Sequence, residues 1–216
     1  MPRVNTINAM NSLPNRVLPH PVILAKRLAT IDVLSEGRMR LLAVGLGTLP
    51  GEARALGVDF GSRGRRADEA IDVLRLLWAG DGRGVSFEGE FFSLDDIASF
   101  PKPYASPTLP IHIGGSSRAA ARRAGLRGDG YFPGGGVRPA ERATQLELMR
   151  TTARQAGRDP SALEYTRWAS IDLSPDDVEG FAAQGVVRLV VGGAALEPQQ
   201  QLDEMSELAE RVRLRS

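Results

Sequence analysis

Residues 21–46, PVILAKRLATIDVLSEGRMRLLAVGL, decide the fold. Pro21 to Ser35 predicts a helix, because Leu24, Leu28, Ile31 and Leu34 fall on one face. Pro21 suits the first helical turn, and Gly37 stands where a C-terminal cap belongs. Met39 to Leu46 is a nearly continuous apolar run, as expected of a parallel strand buried on both faces. Upstream, Val4 to Met10 predicts a short strand, so the segment as a whole predicts strand, helix and strand.

The same alternation runs to the other end. Arg65 to Trp78 predicts a helix with Ala67, Ile71, Leu74 and Trp78 on its buried stripe, leaving Asp68, Glu69 and Asp72 on a solvated face. Val85 to Leu94 predicts a hairpin turning near Glu88-Gly89, and a proline-rich stretch, Pro101 to Pro110, leads into a strand at Ile111 to Ile113. Ser116 to Arg123 predicts a short helix, Tyr131-Phe132 a strand, Ala140 to Ala156 a helix ended by Gly157, and Glu164 to Asp172 a strand. Ser174-Pro175-Asp176-Asp177 is a helix start, with a Ser cap, Pro in the first turn and acids facing the helix dipole. Val186 to Val191 is the last predicted strand, and Pro198 to Val212 the closing helix through Leu202, Met205, Ala209 and Val212.

Repeated strand-then-helix units require parallel strands joined by helical crossovers. The choice lies between a doubly wound sheet and a barrel. Glycines follow four strands, at Gly45 and Gly47, Gly114 and Gly115, Gly134 to Gly136, and Gly192 and Gly193, and this marks the carboxyl edge where ligands bind in either fold. Six barrel-type strands and a hairpin can be counted, whereas a closed barrel has eight.

Composition excludes several classes. The 216 residues suffice for one domain, 1–216, and show no linker or low-complexity segment. With 27 basic and 26 acidic residues the net charge is +1, so there is no basic surplus to neutralise nucleic-acid phosphates. The chain has no cysteine and only two histidines, His20 and His112, which argues against thiolate chemistry and a multi-histidine metal centre. No apolar run reaches the length of a bilayer span and the N-terminus lacks a signal-peptide core, so the expectation is a cytoplasmic protein. Only Lys26 and Lys102 are lysines, a bias in keeping with a GC-rich genome.

Gly114-Gly115-Ser116-Ser117 follows a strand and opens a helix. Small residues let backbone approach a ligand, and free N–H groups with the helix dipole favour an anion such as a phosphate. A turn with an ordinary Ser N-cap accounts for the spacing equally well. His20 reads as a loop residue, His112 as a hydrogen-bonded core histidine, and Asp129 as a turn former. There is no GxGxxG or Walker motif and no acid/base pair or Ser/His/Asp order. Catalytic residues are therefore unassigned, and a bound redox cofactor that carries the chemistry would account for their scarcity.

His20 to Met39 closely resembles the most characteristic segment of the luciferase-like monooxygenase family. The resemblance continues through Gly45-Leu46-Gly47, Glu52-Ala-Arg-Ala-Leu-Gly57, the Arg-rich helix from Arg63 to Trp78, and the hairpin Phe87 to Phe92 with Pro101-Lys-Pro103. It extends over Pro110-Ile-His-Ile-Gly-Gly115 and Gly128-Asp-Gly-Tyr-Phe132. It implies a (β/α)₈ TIM-type barrel that is incomplete, with its first two βα units absent. It also implies coenzyme F420, with FMN as the alternative, and an undetermined small-molecule substrate.

On this resemblance the cofactor phosphate sits at Gly114, Gly115, Ser116 and Ser117. The ring lies near Met10, Asn11, Gly45, Gly47 and Thr48, with a non-proline cis peptide or bulge near Ala9-Met10-Asn11. Two functions are expected: hydride transfer or monooxygenation, or alternatively a non-catalytic flavin-binding barrel. A homodimer would cover the strand edges that an open barrel exposes.

Overall fold

The computed structural model describes residues 7–10, 19–44, 47, 49–105, 107–193 and 195–212. Six strands share one sheet: β1 (Ile7–Met10), β2 (Met39–Val44), β5 (Ile111–Gly114), β6 (Gly130–Phe132), β7 (Glu164–Ser170) and β8 (Arg188–Gly192). Their order across the sheet is the order of the chain, and every neighbouring pair is parallel. A doubly wound sheet would reverse direction at a switch point. This one never reverses, so it is an arc of a barrel wall. The hairpin, β3 (Val85–Glu88) and β4 (Ser93–Ile97), stands apart as a separate antiparallel pair.

The helices are α1 (Pro21–Leu34), α2 (Pro50–Ala55), α3 (Arg63–Ala79), α4 (Arg118–Arg127), α5 (Pro139–Gln155), α6 (Pro175–Ala183) and α7 (Pro198–Arg211). α1 packs on α3, α3 on α4, and α4 on α5. Such a side-by-side ring follows from right-handed crossovers that return each helix to the same face. The fold is thus of the (β/α)₈ type, without barrel closure among the described residues.

The core lies between helices and sheet. Ala67, Ile71, Leu74 and Trp78 of α3 are buried as their spacing predicts, and the last three share one core cluster with Ile111 and Ile113 of β5. α1 is rotated from the predicted face. Ala25, Leu28, Ala29 and Asp32 are the residues that point inward, while Ile31 is exposed and Leu34 is 78% exposed. The alanines let α1 lie close enough for Trp78 Nε1 to donate to the Ala25 carbonyl at 3.1 Å, and Asp32 accepts the Tyr104 N–H at 2.8 Å. α7 likewise leaves Leu202 and Met205 exposed.

Asp68 and Asp72 are not solvated bystanders. One turn apart on α3, they meet Arg123 and Arg127, one turn apart on α4. Arg123, only 8% exposed, makes a two-pronged contact to Asp68 at 2.5 and 3.2 Å, and Arg127 Nε reaches Asp72 at 3.0 Å. Glu69 accepts the backbone N–H groups of Glu90, Phe91 and Phe92, and so fastens the hairpin turn onto α3. Asp129 receives the Ile111 N–H and the Arg75 guanidinium, both at 2.8 Å, which ties the start of β5 to the turn before β6. Sequence spacing cannot show these partners, because each lies at least 18 residues away.

α2 was not anticipated. Leu49 precedes Pro50 at the first helical position, but the apolar pattern over six residues is too short to announce a helix. The Ser cap predicted at Ser174 is present and forms a full capping box, with Asp177 accepting the Ser174 N–H and the Ser174 hydroxyl accepting the Asp177 N–H.

Candidate functional site

The carboxyl edge gathers the glycines. Since β1, β2 and β5 are neighbours, the end of β1 at Met10, the residues after β2 at Gly47, and the turn after β5 form one row. Met10 pairs with Leu42 and Gly47 has a φ of +73°. Asn11, Gly45 and Thr48 lie outside the described residues, as does half of the Met10–Asn11 bond. Among the described residues the one cis peptide is Phe100–Pro101.

The turn Gly114 to Ser117 is exposed and shaped from both sides. Gly115 has a φ of +117°, a conformation that costs a side chain but not glycine. Ser117 caps α4, its hydroxyl accepting the Ala120 N–H at 3.1 Å. The N–H groups of Arg118 and Ala119 have no acceptor among the described residues. They point out along the positive end of the helix dipole.

Beneath the turn, Tyr131 Oη lies 2.9 Å from the Gly115 carbonyl and 2.8 Å from Gln145 Oε1, its single proton able to serve either. The Gln145 amide donates to the Ser116 carbonyl at 2.5 Å. Burial pushes the Tyr131 phenol well above its ordinary value, so it stays neutral. The carbonyls of the turn are therefore occupied from within, and its free N–H groups face outward.

A second group lines the face of the sheet turned away from the helices. Tyr131 points towards α5, so its neighbours Gly130 and Phe132 belong to the opposite face. A Cβ on Gly130 would stand 2.7 Å from the His112 ring, so His112 lies across it, towards β7. There His112 Nδ1 is 3.1 Å from Thr166 Oγ1, and Nε2 is 3.0 Å from Glu164 Oε2, though without hydrogen-bond alignment. Arg188 of β8 donates to the same carboxylate at 2.9 Å.

The His112 imidazole contributes most to drawing the Glu164 carboxyl down to about 2. Arg188 adds to the effect, and partial burial opposes it. One layer nearer the carboxyl edge, Phe132 packs on Trp168 with ring centroids 5.0 Å apart. The sheet's inner face is thus ionic below and aromatic above.

Of the predicted site residues, the structure brings Gly114, Gly115, Ser116 and Ser117 into one turn, and sets Met10 and Gly47 in the same row. His112 is the core histidine expected, and His20 packs edge-on against Phe92 at 5.2 Å. Gln145, Phe132 and Trp168 were missed. For the last, a signal existed: Glu164, Thr166, Trp168 and Ser170 alternate with period two and so share a face. A groove of about 480 Å³ opens at the opposite, amino edge beside Arg150, Arg154, Ser161 and Tyr165, remote from the glycine turns. No group of three or more metal-binding side chains occurs among the described residues, and no helix there is long and apolar enough to cross a membrane.

A parallel barrel wall with a glycine-rich turn opening a helix at its carboxyl edge defines a (β/α)₈-type α/β protein. Within that class, the sequence matches the luciferase-like monooxygenase family over residues 14–215, and the chain belongs to that family. The phthiodiolone/phenolphthiodiolone dimycocerosates ketoreductase of Mycobacterium kansasii is 31% identical over 176 residues, 81% of this chain and 47% of that protein. The FMNH(2)-dependent dimethylsulfone monooxygenase of Pseudomonas putida is 40% identical over 118 residues, 53% of this chain and 32% of that protein.

An F420-dependent secondary alcohol dehydrogenase, solved with an F420-acetone adduct, superimposes with a TM-score of 0.73 at 21% identity, covering 91% of this chain and 77% of that one. That likeness concerns the fold. The chain spans about half the length of the curated relatives it matches.

Proposed function

We propose that this chain binds a phosphate-bearing flavin-type cofactor, F420 in the first place and FMN as the alternative, and serves an oxidoreductase reaction on a small organic molecule. The observation that carries the proposal is the Gly114 to Ser117 turn. Its carbonyls are engaged by Tyr131 and Gln145, its Gly115 leaves the backbone bare, and the Arg118 and Ala119 N–H groups are free. These groups fit a phosphate monoester or diester. Met10 and Gly47, in the same row, suit the neighbourhood of a planar ring.

When bound, such a cofactor supplies the electron pair or hydride that no side chain of this protein can offer. The protein's own residues bind and orient. Ser117 fixes the start of α4, Tyr131 and Gln145 hold the turn rigid, and the ionic layer of His112, Glu164 and Arg188 fixes the wall below. The relatives include both a ketoreductase and an FMNH(2)-dependent monooxygenase, which supports the class of reaction and leaves the cofactor to experiment.

The test is to titrate the purified protein with F420 and with FMN while following cofactor fluorescence. Saturable binding of one of them at micromolar concentration is expected. Binding of neither at that level overturns the proposal.

A further inference from the structure

Trp168 is the exposed aromatic nearest the glycine turns, and neither the cofactor site nor the core accounts for it. It stands near the carboxyl end of β7, 37% exposed, with its inner side packed on Phe132, which is 3% exposed. The planes of the two rings meet at 36°. The loop after β6 passes beside the indole without side chains: a Cβ on Gly135 would lie 3.9 Å from Trp168 Cδ1, and a Cβ on Gly134 would run into Ser116 Oγ. Those glycines connect the wall directly to the Gly114 to Ser117 turn and leave the space over the indole open.

Charge is arranged to match. Of the described residues on β5 to β8, those that share this face near the edge are Gly114, Phe132, Trp168, Val190, Ser170 and Gly192, and none of them is ionisable. In the layer below, Arg188 donates to Glu164, and His112 stands beside the same carboxylate. An anionic group on the indole would find no counter-charge among these residues, and a neutral planar group would find a π-surface with its edge and face accessible.

We infer, on the basis of the cofactor site proposed above, that Trp168 backed by Phe132 is the specificity-determining wall for the substrate, selecting a neutral, planar or apolar moiety over an anionic one. Phe132 acts through Trp168, holding the indole at its angle, and is a positioning residue. Ser170, two residues further along the same face, closes the rim, its hydroxyl accepting the Asp172 N–H at 3.2 Å.

The wall is tested with two nitroarenes that quench indole fluorescence, neutral 4-nitroanisole and anionic 4-nitrobenzenesulfonate. The full chain, Trp168→Ala and Trp168→Phe are titrated with each, by calorimetry as well as by fluorescence. F420 and FMN binding is measured in parallel. Expected are tighter binding of 4-nitroanisole than of the sulfonate, about a tenfold loss in Trp168→Ala, and recovery to within about twofold in Trp168→Phe, the size of one stacking contact.

Cofactor affinity is expected to be equal in all three proteins. Unchanged 4-nitroanisole affinity in Trp168→Ala overturns the inference, as does a preference for the sulfonate. So does a loss of F420 or FMN binding in that variant, since the indole would then belong to the cofactor. Should neither cofactor bind any of the proteins, the cofactor proposal fails, while the nitroarene comparison still decides the wall.

Discussion

Glu164→Gln removes one charge from the ionic layer while keeping the shape of the side chain. Glu164 ordinarily titrates near 4.5 and is held at about 2 in the folded protein. At about 1.4 kcal/mol per tenfold, that difference sets a ceiling of about 3 kcal/mol on the stabilisation it can report. Glu164 is 35% exposed on its side chain, so solvent screening reduces the expected value to about 1–2 kcal/mol.

Because the folded value is the lower one, the stabilisation is fully present above about pH 4.5. It fades as the pH falls towards 2, where the folded state also takes up the proton. Urea unfolding of both proteins between pH 7 and pH 2.5 measures the difference directly. The variant should be less stable by about 1–2 kcal/mol at pH 7, with the gap narrowing steadily below pH 4.5. A gap that is absent at pH 7, or that persists unchanged at pH 2.5, refutes the coupling of Glu164 to His112 and Arg188.

Further outcomes follow from the same contacts. Arg123→Met should cost about 2–3 kcal/mol in chemical denaturation, because it strands the partly buried Asp68, whereas Arg127→Met, on the more exposed rung, should cost less than about 1 kcal/mol. Gly125→Ala should lower stability by about 2–3 kcal/mol, since its Cβ would lie 2.4 Å from the Met149 carbonyl where α4 crosses α5; a thermal shift near zero would show that the helices separate freely. Tyr131→Phe should cost about 1 kcal/mol and weaken cofactor binding severalfold, read by denaturation and fluorescence titration respectively.

The strands and helices were legible because each unit carries its own period. The β5 run Ile111 to Ile113 is buried on both faces, α3 shows a stripe from Ala67 to Trp78, and α6 begins with its own capping box. α1 shows where periodicity misleads. Leu24 and Leu28 face the core as their spacing suggests, but Ile31 and Leu34 do not, and alanines take the contact beside Trp78.

The shape of the Gly114 to Ser117 turn was legible in its glycines and serines, which report backbone conformation. The supports were not. Gln145 lies 29 residues from the Ser116 carbonyl it holds, and Glu164 lies 24 from Arg188, so no local pattern links them. Asp68 and Asp72 read as solvent-facing for the same reason: their partners are 55 residues away.

Whether the Gly114 to Ser117 turn holds a phosphate is most directly measured by comparing F420 with its phosphate-free deazaflavin core, and FMN with riboflavin, in calorimetric titrations of the same protein. The phosphorylated member of the pair that binds should do so at least about tenfold more tightly, the gain of two backbone N–H groups and a helix dipole on a charged oxygen. Equal affinity within either bound pair would contradict phosphate binding at that turn.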